Sequence, residues 1–217
     1  MSEVVHTNEP YFDGMLDVYA ASMLNEDTPT SAASYEDFQL MGLGISVKIT
    51  PKYKEGTRYA SNKKVRNKKV LEGYEVELGL DKIRAAIRSK MDGRERDANG
   101  VELLGATNPK PMAIAFSLSL DDGSCELWQL YKGTFETVTV EGKTAEDKFE
   151  YQDHVAKAFF DRRLNDNRLG AVVEDNDSAV PADVIKNWFT KVYEPADAAA
   201  PEGDNGEEGN GEDTQTA

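Results

Sequence analysis

The sequence has very little cysteine and histidine, and this scarcity excludes several classes of site. Cys125 is the single cysteine among 217 residues, so the chain cannot form an intramolecular disulfide or a cysteine-based zinc or iron–sulfur site. The two histidines, His6 and His154, are far apart in sequence, which disfavours a histidine-based metal site. A chain of this length buries roughly 70% of its extended surface, so it needs no disulfide or metal for stability.

Long hydrophobic runs and catalytic motifs are also missing. No stretch approaches the roughly 20 apolar residues of a membrane span, and the N-terminal residues do not resemble a signal peptide. The chain has no Gly-x-Gly-x-x-Gly, Walker A, Gly-x-Ser-x-Gly or His-Glu-x-x-His motif. Asp121-Asp122-Gly123 and Asp175-x-Asp177 lack the rest of a calcium loop, so each predicts a turn. We therefore expect a soluble protein of a reducing compartment, with no enzymatic activity, cofactor or metal.

Charge is present in abundance but is unevenly distributed. The formal net charge is −15, and residues 193–217 contribute eight acids and no base. The rest of the chain has 32 acids against 25 bases, a net charge of −7. Within it, residues 52–69 form a basic block with one acid, Glu55, and eight bases: Lys52, Lys54, Arg58, Lys63, Lys64, Arg66, Lys68 and Lys69. A function for this chain must explain both the basic block and the acidic tail.

Alternating apolar and polar residues predict a mainly β protein. The predicted strands cover residues 15–23, 38–50, 70–80, 113–120, 125–131, 134–140 and 151–160. Asp122-Gly123 is a hairpin signal between two of these strands, and Lys132-Gly133 predicts a break before residue 134. Many β segments with few helices indicate an antiparallel, sandwich-like domain rather than alternating βαβ units.

Two helices are predicted beside these strands. One covers residues 81–91, with Asp81 as N-cap and Gly93 as its stop signal. The other covers about residues 181–193, with Pro181 in its first turn and Pro195 after its end. We expect its apolar stripe to pack on its own domain, with docking on a neighbouring subunit as the alternative. Residues 195–217 lack apolar periodicity, which predicts a disordered acidic tail after a single domain of residues 1–194.

The order of several short segments resembles that of the major tail proteins of long-tailed bacteriophages, the subunits of the tail tube. The resemblance spans roughly residues 12–173, and its aromatic strand 128–131 ends in Lys132-Gly133. The matching segments are Ile45–Pro51, Tyr59-Ala60-Ser61, the strand 72–80, the helix 81–91, Asp97-Ala98-Asn99-Gly100, the strand 113–118, Leu127–Gly133 and Lys148–Gln152.

This resemblance implies a structural virion protein without an active site. In that family a sandwich-like domain with a packed helix forms hexameric rings, and sheets of neighbouring subunits join edge to edge around a lumen. The rings stack into a tube that carries the genome from capsid to cell, so DNA is transient cargo. The implied partners are other copies of the chain and the tape measure, distal tail and tail terminator proteins, with no membrane. The implied location is the phage tail, after synthesis in the host cytoplasm.

The basic block allows three interpretations: a solvated hairpin, a nucleic-acid site or a contact between subunits. Eight bases with Tyr53 and Tyr59 suit a phosphate backbone. In the tail-tube family, however, a long hairpin at about residues 52–69 reaches an adjacent ring. The resemblance therefore favours a contact with acids of a neighbouring subunit. We expect the block to be mobile in the monomer, because its seven net positive charges repel one another.

The alternative function is a phage single-stranded DNA-binding protein, since such proteins also combine a basic β domain with an acidic tail. A groove for single-stranded DNA needs exposed aromatic residues interleaved with bases on one sheet. Here the apolar strands contain Trp128, Tyr131 and Phe135, which we expect in the core or in cross-strand pairs. The position of the aromatic residues therefore distinguishes the two functions.

Overall fold

A computed structural model describes residues 11–60, 63–105, 107–139 and 153–195, with side chains described outside 57–67. Within these residues the chain is mainly β, as the sequence predicts. The elements are β1 (Phe12–Met15), β2 (Val18–Asn25), β3 (Ser34–Tyr35), β4 (Gln39–Gly42), β5 (Gly44–Ala60), β6 (Lys63–Leu80), α1 (Ala85–Met91), β7 (Met112–Leu120), β8 (Cys125–Phe135), β9 (His154–Asp161), β10 (Gly170–Glu174) and α2 (Ala182–Asn187). The predicted acidic tail lies outside the described residues, apart from Pro195.

All strand pairs are antiparallel, and the sheet has the order β3–β2–β7–β8–β9–β6–β5. At two positions in the sheet, two consecutive strands lie end to end along the same neighbouring strand, with a connecting segment that leaves the sheet between them. β1 and β2 follow each other along β7, while β9 and β10 follow each other along β8. The excursion between β9 and β10, residues 162–169, carries a buried arginine that is described below. At the predicted hairpin, Gly123 adopts φ 85°, which suits a residue without Cβ.

The main hydrophobic core lies between one face of the sheet and α1. Strands β6, β7 and β9 contribute Leu78, Phe116 and Phe160, and the helix contributes Ile87 and Met91, all almost fully buried. In β5 and β6 the apolar residues alternate with polar or charged ones, so that Val76 and Leu78 face the core while Glu75 and Glu77 lie between and beside them. This period of two is the pattern from which the strands were predicted.

A smaller cluster covers the opposite face of the sheet at β2, β7 and β8. Tyr131 and Ala115 of the sheet pack there against Phe38 and Val192, and Tyr19 contacts Phe189 with ring centroids 5.2 Å apart. The chain after α2 therefore packs on its own domain, as expected. The helix itself is shorter than predicted, because α2 ends at Asn187 and residues 188–195 continue without regular structure.

The first and fifth strands meet, so the sheet curls back on itself. A Cβ atom at residue 44 would lie 2.2 Å from the carbonyl oxygen of Leu16, so the close approach of the two segments requires a glycine. This curled antiparallel sheet with one helix in its core agrees with the predicted sandwich-like class.

Two predicted boundaries are wrong for identifiable reasons. Asp81 is not the N-cap of α1, because its backbone N–H donates to Leu43 and its carboxylate accepts the N–H of Leu43 at 2.9 Å. Residues 81–84 form an irregular connection, and α1 begins at Ala85. Gly133 does not break the strand, and β8 continues to Phe135. Its lack of a side chain makes room for Phe160, whose Cε1 would lie 2.3 Å from a Cβ at residue 133.

Candidate assembly interface

Strands β5 and β6 continue beyond the sheet as a two-stranded ribbon. β9 pairs with β6 from Tyr74 to Leu80, and past that point residues 52–60 and 63–73 pair with each other and with no third described strand. At about 3.3 Å per residue, the ribbon extends roughly 30 Å from the sheet. Its ladder carries the candidate contact residues Lys52, Lys54, Arg58, Lys63, Lys64, Arg66, Lys68 and Lys69. The basic block is thus paired with itself within a single chain.

Acids neutralise part of the positive charge on the ribbon. Lys69 lies 3.3 Å from Glu55 and 4.3 Å from the ring centroid of Tyr53. Lys52 pairs with Glu75, and this contact holds the pKa of Glu75 below its usual value. Ion pairs as exposed as these add little to stability. Lys54 and Lys68 have no ion pair with another described residue.

The ribbon gains little stability from its own domain. Residues 51–56 and 68–70 are all exposed, so this part of the ladder buries little apolar surface. Residues 52–69 carry a net charge of +7, and this repulsion opposes pairing of the two strands. A two-stranded hairpin without a third strand or a covering layer is marginally stable in water. The ribbon therefore has the features of an arm that gains stability by contact with a partner.

The outer edge of β5 is guarded against pairing with another strand. No described strand pairs with this edge, which carries Pro51 between Lys48 and Lys52. Proline lacks an N–H donor, and lysines on an edge strand oppose edge-to-edge association. The edge-to-edge joining that the tail-tube resemblance implies is therefore disfavoured along this part of β5.

Exposed apolar side chains surround the place where β1 meets β5. Phe12, Leu16, Leu43 and Ile45 each expose about half of their surface or more. Leu43 and Ile45 flank Gly44, the residue that contacts the end of β1. A group of exposed apolar residues of this kind marks a surface that can associate with another protein.

A groove of about 300 Å³ at the base of the ribbon contains two exposed aromatic residues, Tyr53 and Phe159. A nucleic-acid base bound in this groove would contact aromatic rings that lie beside lysines. The charged residues of its lining are three acids and two bases: Glu72, Glu75, Glu136, Lys52 and Lys157. Both lysines also pair with carboxylates, since Lys157 lies 3.5 Å from Glu77. This net negative charge opposes phosphate binding.

The aromatic residues of β7 and β8 lie in a cross-strand pair or in the core. Trp128 is paired in register with Phe116, and their rings stack with centroids 6.0 Å apart. Tyr131 and Phe135 are buried in the two apolar clusters. The expectation that these residues form cross-strand pairs or core is confirmed.

A buried ionic cluster, which no local sequence pattern predicts, holds the end of the described chain. The side chain of Arg163 is fully buried, and its guanidinium lies 4.2 Å from the ring centroid of Tyr131. It donates to both carboxylate oxygens of Glu194, at 2.5 and 3.1 Å, and to Asp166. Burial alone would lower the pKa of Arg163, but its bonds with Asp166 and Glu194 raise it. For Tyr35, which is neutral when protonated, burial acts in the opposite direction and raises the pKa to about 12.

Lys132, the lysine of the Lys132-Gly133 segment, forms a second ion pair in the interior. Lys132 Nζ donates to Asp27 Oδ1 at 2.7 Å, and the other oxygen of Asp27 accepts the N–H of Leu164. Burial would raise the pKa of Asp27, but these two bonds hold it below its usual value. The pair links β8 to the chain after β2 and to the excursion that carries Arg163.

Comparisons with known proteins identify no family for this chain. No protein-family model matches it, and a search of curated proteins finds no match. Among the residues that the structure describes, no helix is long and apolar enough to cross a membrane. The same residues contain no group of three or more His, Cys, Asp or Glu side chains arranged to hold a metal ion.

Proposed function

We propose that this chain is a structural virion protein, the tail tube subunit of a long-tailed bacteriophage. In this proposal its copies form hexameric rings that stack into the tube for genome delivery. The ribbon is the observation that carries the proposal. It lies at the sequence position that the resemblance assigns to the hairpin between rings, it is basic, and residues 52–56 and 68–70 of it are exposed.

The ribbon acts in this proposal as a contact to the adjacent ring. Its eight bases oppose acids of a neighbouring subunit, which relieves the repulsion within the net charge of +7 on residues 52–69. The apolar residues around the β1–β5 contact provide a second surface for association. Contacts between two different surfaces of identical subunits are heterologous, and such contacts generate rings and filaments. The guarded edge of β5 means that these two surfaces, rather than pairing along β5, drive assembly.

Electron microscopy of the concentrated protein tests the proposal. We expect rings or tubes in negative stain, formed as protein concentration rises and without added nucleic acid. Replacing Lys63, Lys64 and Arg66 by Glu should leave a folded monomer that assembles poorly, because the ribbon charge is reversed at its end. The control replaces Lys82, Arg84 and Lys110, three exposed bases outside the ribbon, by Glu. Equal assembly of the two variants would refute the role of the ribbon.

Binding of single-stranded DNA separates this function from its alternative. The acid-lined groove and the internal aromatic residues predict weak or no binding to an oligonucleotide at near-physiological salt. The assay also uses a full-length variant whose tail acids are replaced by amides, since the acidic tail could mask a basic surface. Sub-micromolar binding by that variant, together with a failure to form rings or tubes at any concentration, would replace the tail-tube proposal by the DNA-binding one.

A further inference from the structure

The acidic tail and the basic ribbon start from the same corner of the molecule. Arg163 holds Glu194, the last acid before the tail, through two hydrogen bonds. Arg162, the adjacent residue, donates from Nε and Nη2 to the carbonyl oxygen of Leu71, at the base of the ribbon. Two consecutive residues thus connect the start of the tail with the base of the ribbon.

The charges of the two segments are equal and opposite. Residues 52–69 carry eight bases and one acid, a net charge of +7. Residues 196–217 carry no base and seven acids: Asp197, Glu202, Asp204, Glu207, Glu208, Glu212 and Asp213. Lys54 and Lys68 are exposed and have no described ionic partner.

The tail is long enough to reach the ribbon. A flexible chain of 22 residues has a root-mean-square span of roughly 26 Å. This span is close to the length of the ribbon, about 30 Å from the sheet to its end. A tether of this length places the tail at an effective concentration of about 1 mM around a site within its span.

We propose that the acidic tail, residues 196–217, binds the basic ribbon of its own chain. Contact within one chain is favoured over contact with another copy because the tether keeps the tail near the ribbon at any protein concentration. The interaction covers the ribbon bases with carboxylates and leaves the folded domain unchanged. It does not depend on the tube, since it occurs in an isolated monomer.

A competition experiment tests this inference, with the full-length protein titrated from about 10 µM to about 1 mM so that the range spans the expected dissociation constants. The probe is a fluorescent synthetic peptide of residues 196–217, followed by anisotropy. The receptor is a full-length variant in which the seven tail acids are replaced by the corresponding amides, so that its ribbon is unoccupied. We expect the peptide to bind this variant and to bind the unmodified chain roughly tenfold more weakly. That ratio follows from a peptide dissociation constant of about 100 µM against an effective concentration of about 1 mM.

Two matched variants locate the binding site. In the amide-tail background, Lys54→Glu with Lys68→Glu should weaken peptide binding at least about tenfold, because two uncompensated bases become acids. Lys82→Glu with Lys110→Glu makes the same change of charge outside the ribbon and should have a much smaller effect. Raising the salt from about 50 to 500 mM should also weaken binding strongly. Amide hydrogen exchange on the unmodified and amide-tail chains gives a second measurement, in which the acidic tail should slow exchange at residues 52–56 and 68–73.

Several outcomes would overturn the inference. Equal peptide affinity for the unmodified and amide-tail chains would mean that the native tail does not occupy the ribbon. Equal losses in the two lysine pairs would mean that overall charge governs binding. If a lysine variant fails to fold, the hydrogen exchange experiment decides alone. Equal exchange rates at residues 52–56 and 68–73 in the unmodified chain and in the amide-tail chain would then refute the contact. Tube formation by a protein that fails these tests would leave the proposed function intact.

Discussion

Gln129 is expected to hold the chain after α2 on the sheet, and its replacement gives a direct test. Its side chain is fully buried on β8. Its Nε2 donates to the carbonyl oxygens of Trp188 at 2.6 Å and of Lys191 at 3.3 Å, and its Oε1 accepts the N–H of Tyr193 at 2.8 Å. One amide therefore satisfies three backbone groups of the segment that covers the smaller apolar cluster.

The substitution Gln129→Met keeps the length of the side chain and removes all three bonds. Two of the released groups, the carbonyl of Trp188 and the N–H of Tyr193, lie in or beside the buried part of the contact. An unsatisfied buried group costs about 1–3 kcal/mol, and the apolar thioether offsets part of this loss. We expect the free energy of unfolding to fall by about 3 kcal/mol.

Urea denaturation followed by tryptophan fluorescence measures this change. The matched control is Gln39→Met, the same replacement at an exposed strand position, which should change the unfolding free energy by less than about 0.5 kcal/mol. Hydrogen exchange at the amide of Tyr193 should accelerate in the first variant alone. A loss below about 1 kcal/mol for Gln129→Met would refute the reasoning, because the segment would then be held by apolar packing without help from the amide.

Two further predictions concern residues whose environment the structure defines. Gly133→Ala should lower the unfolding free energy by about 1–3 kcal/mol, because its Cβ would lie 2.3 Å from Phe160, whereas Gly56→Ala meets no atom within 4 Å. Urea denaturation of both variants checks this, and equal values would contradict it. Asp27 has a folded-state pKa below its unfolded value of about 3.9, so it contributes stability above that pH and loses it as the pH falls through the folded pKa. The difference in unfolding free energy between the native chain and Asp27→Asn should therefore be constant from about pH 5 to 7 and shrink below about pH 4. A difference that stays constant down to about pH 2 would contradict the lowered pKa of Asp27.

The sequence predicts the parts of this fold that depend on local pattern. Alternation in residues 113–120 and the Asp122-Gly123 turn identify β7, the start of β8 and the hairpin between them, because side-chain period and turn chemistry are local properties. Boundaries that depend on distant partners are missed. Asp81 has the chemistry of an N-cap, but its bonds with Leu43 decide its conformation, and nothing near either residue in sequence indicates that contact.

The candidate interface is predictable to a similar extent. Eight bases within eighteen residues indicate a basic surface, and the described ladder places them on one ribbon. The acidic character of the groove at its base is not predictable, because Glu136 and Phe159 come from segments far from Tyr53 in sequence. Arg163 is missed for the same reason. A buried arginine looks like a surface residue until its two carboxylates, Asp166 and Glu194, are known to meet it.

The packing of residues 188–195 on the sheet has a consequence for synthesis of the chain. Tyr19 and Phe38 leave the ribosome early, yet the residues that cover them, Phe189 and Val192, are translated more than 150 positions later. Until then the smaller apolar cluster is open to water and to other nascent chains, a state that favours aggregation. Residues 189–192 can reach the sheet only after they clear the exit tunnel. The cluster can therefore close only after every described strand of the sheet has left the ribosome.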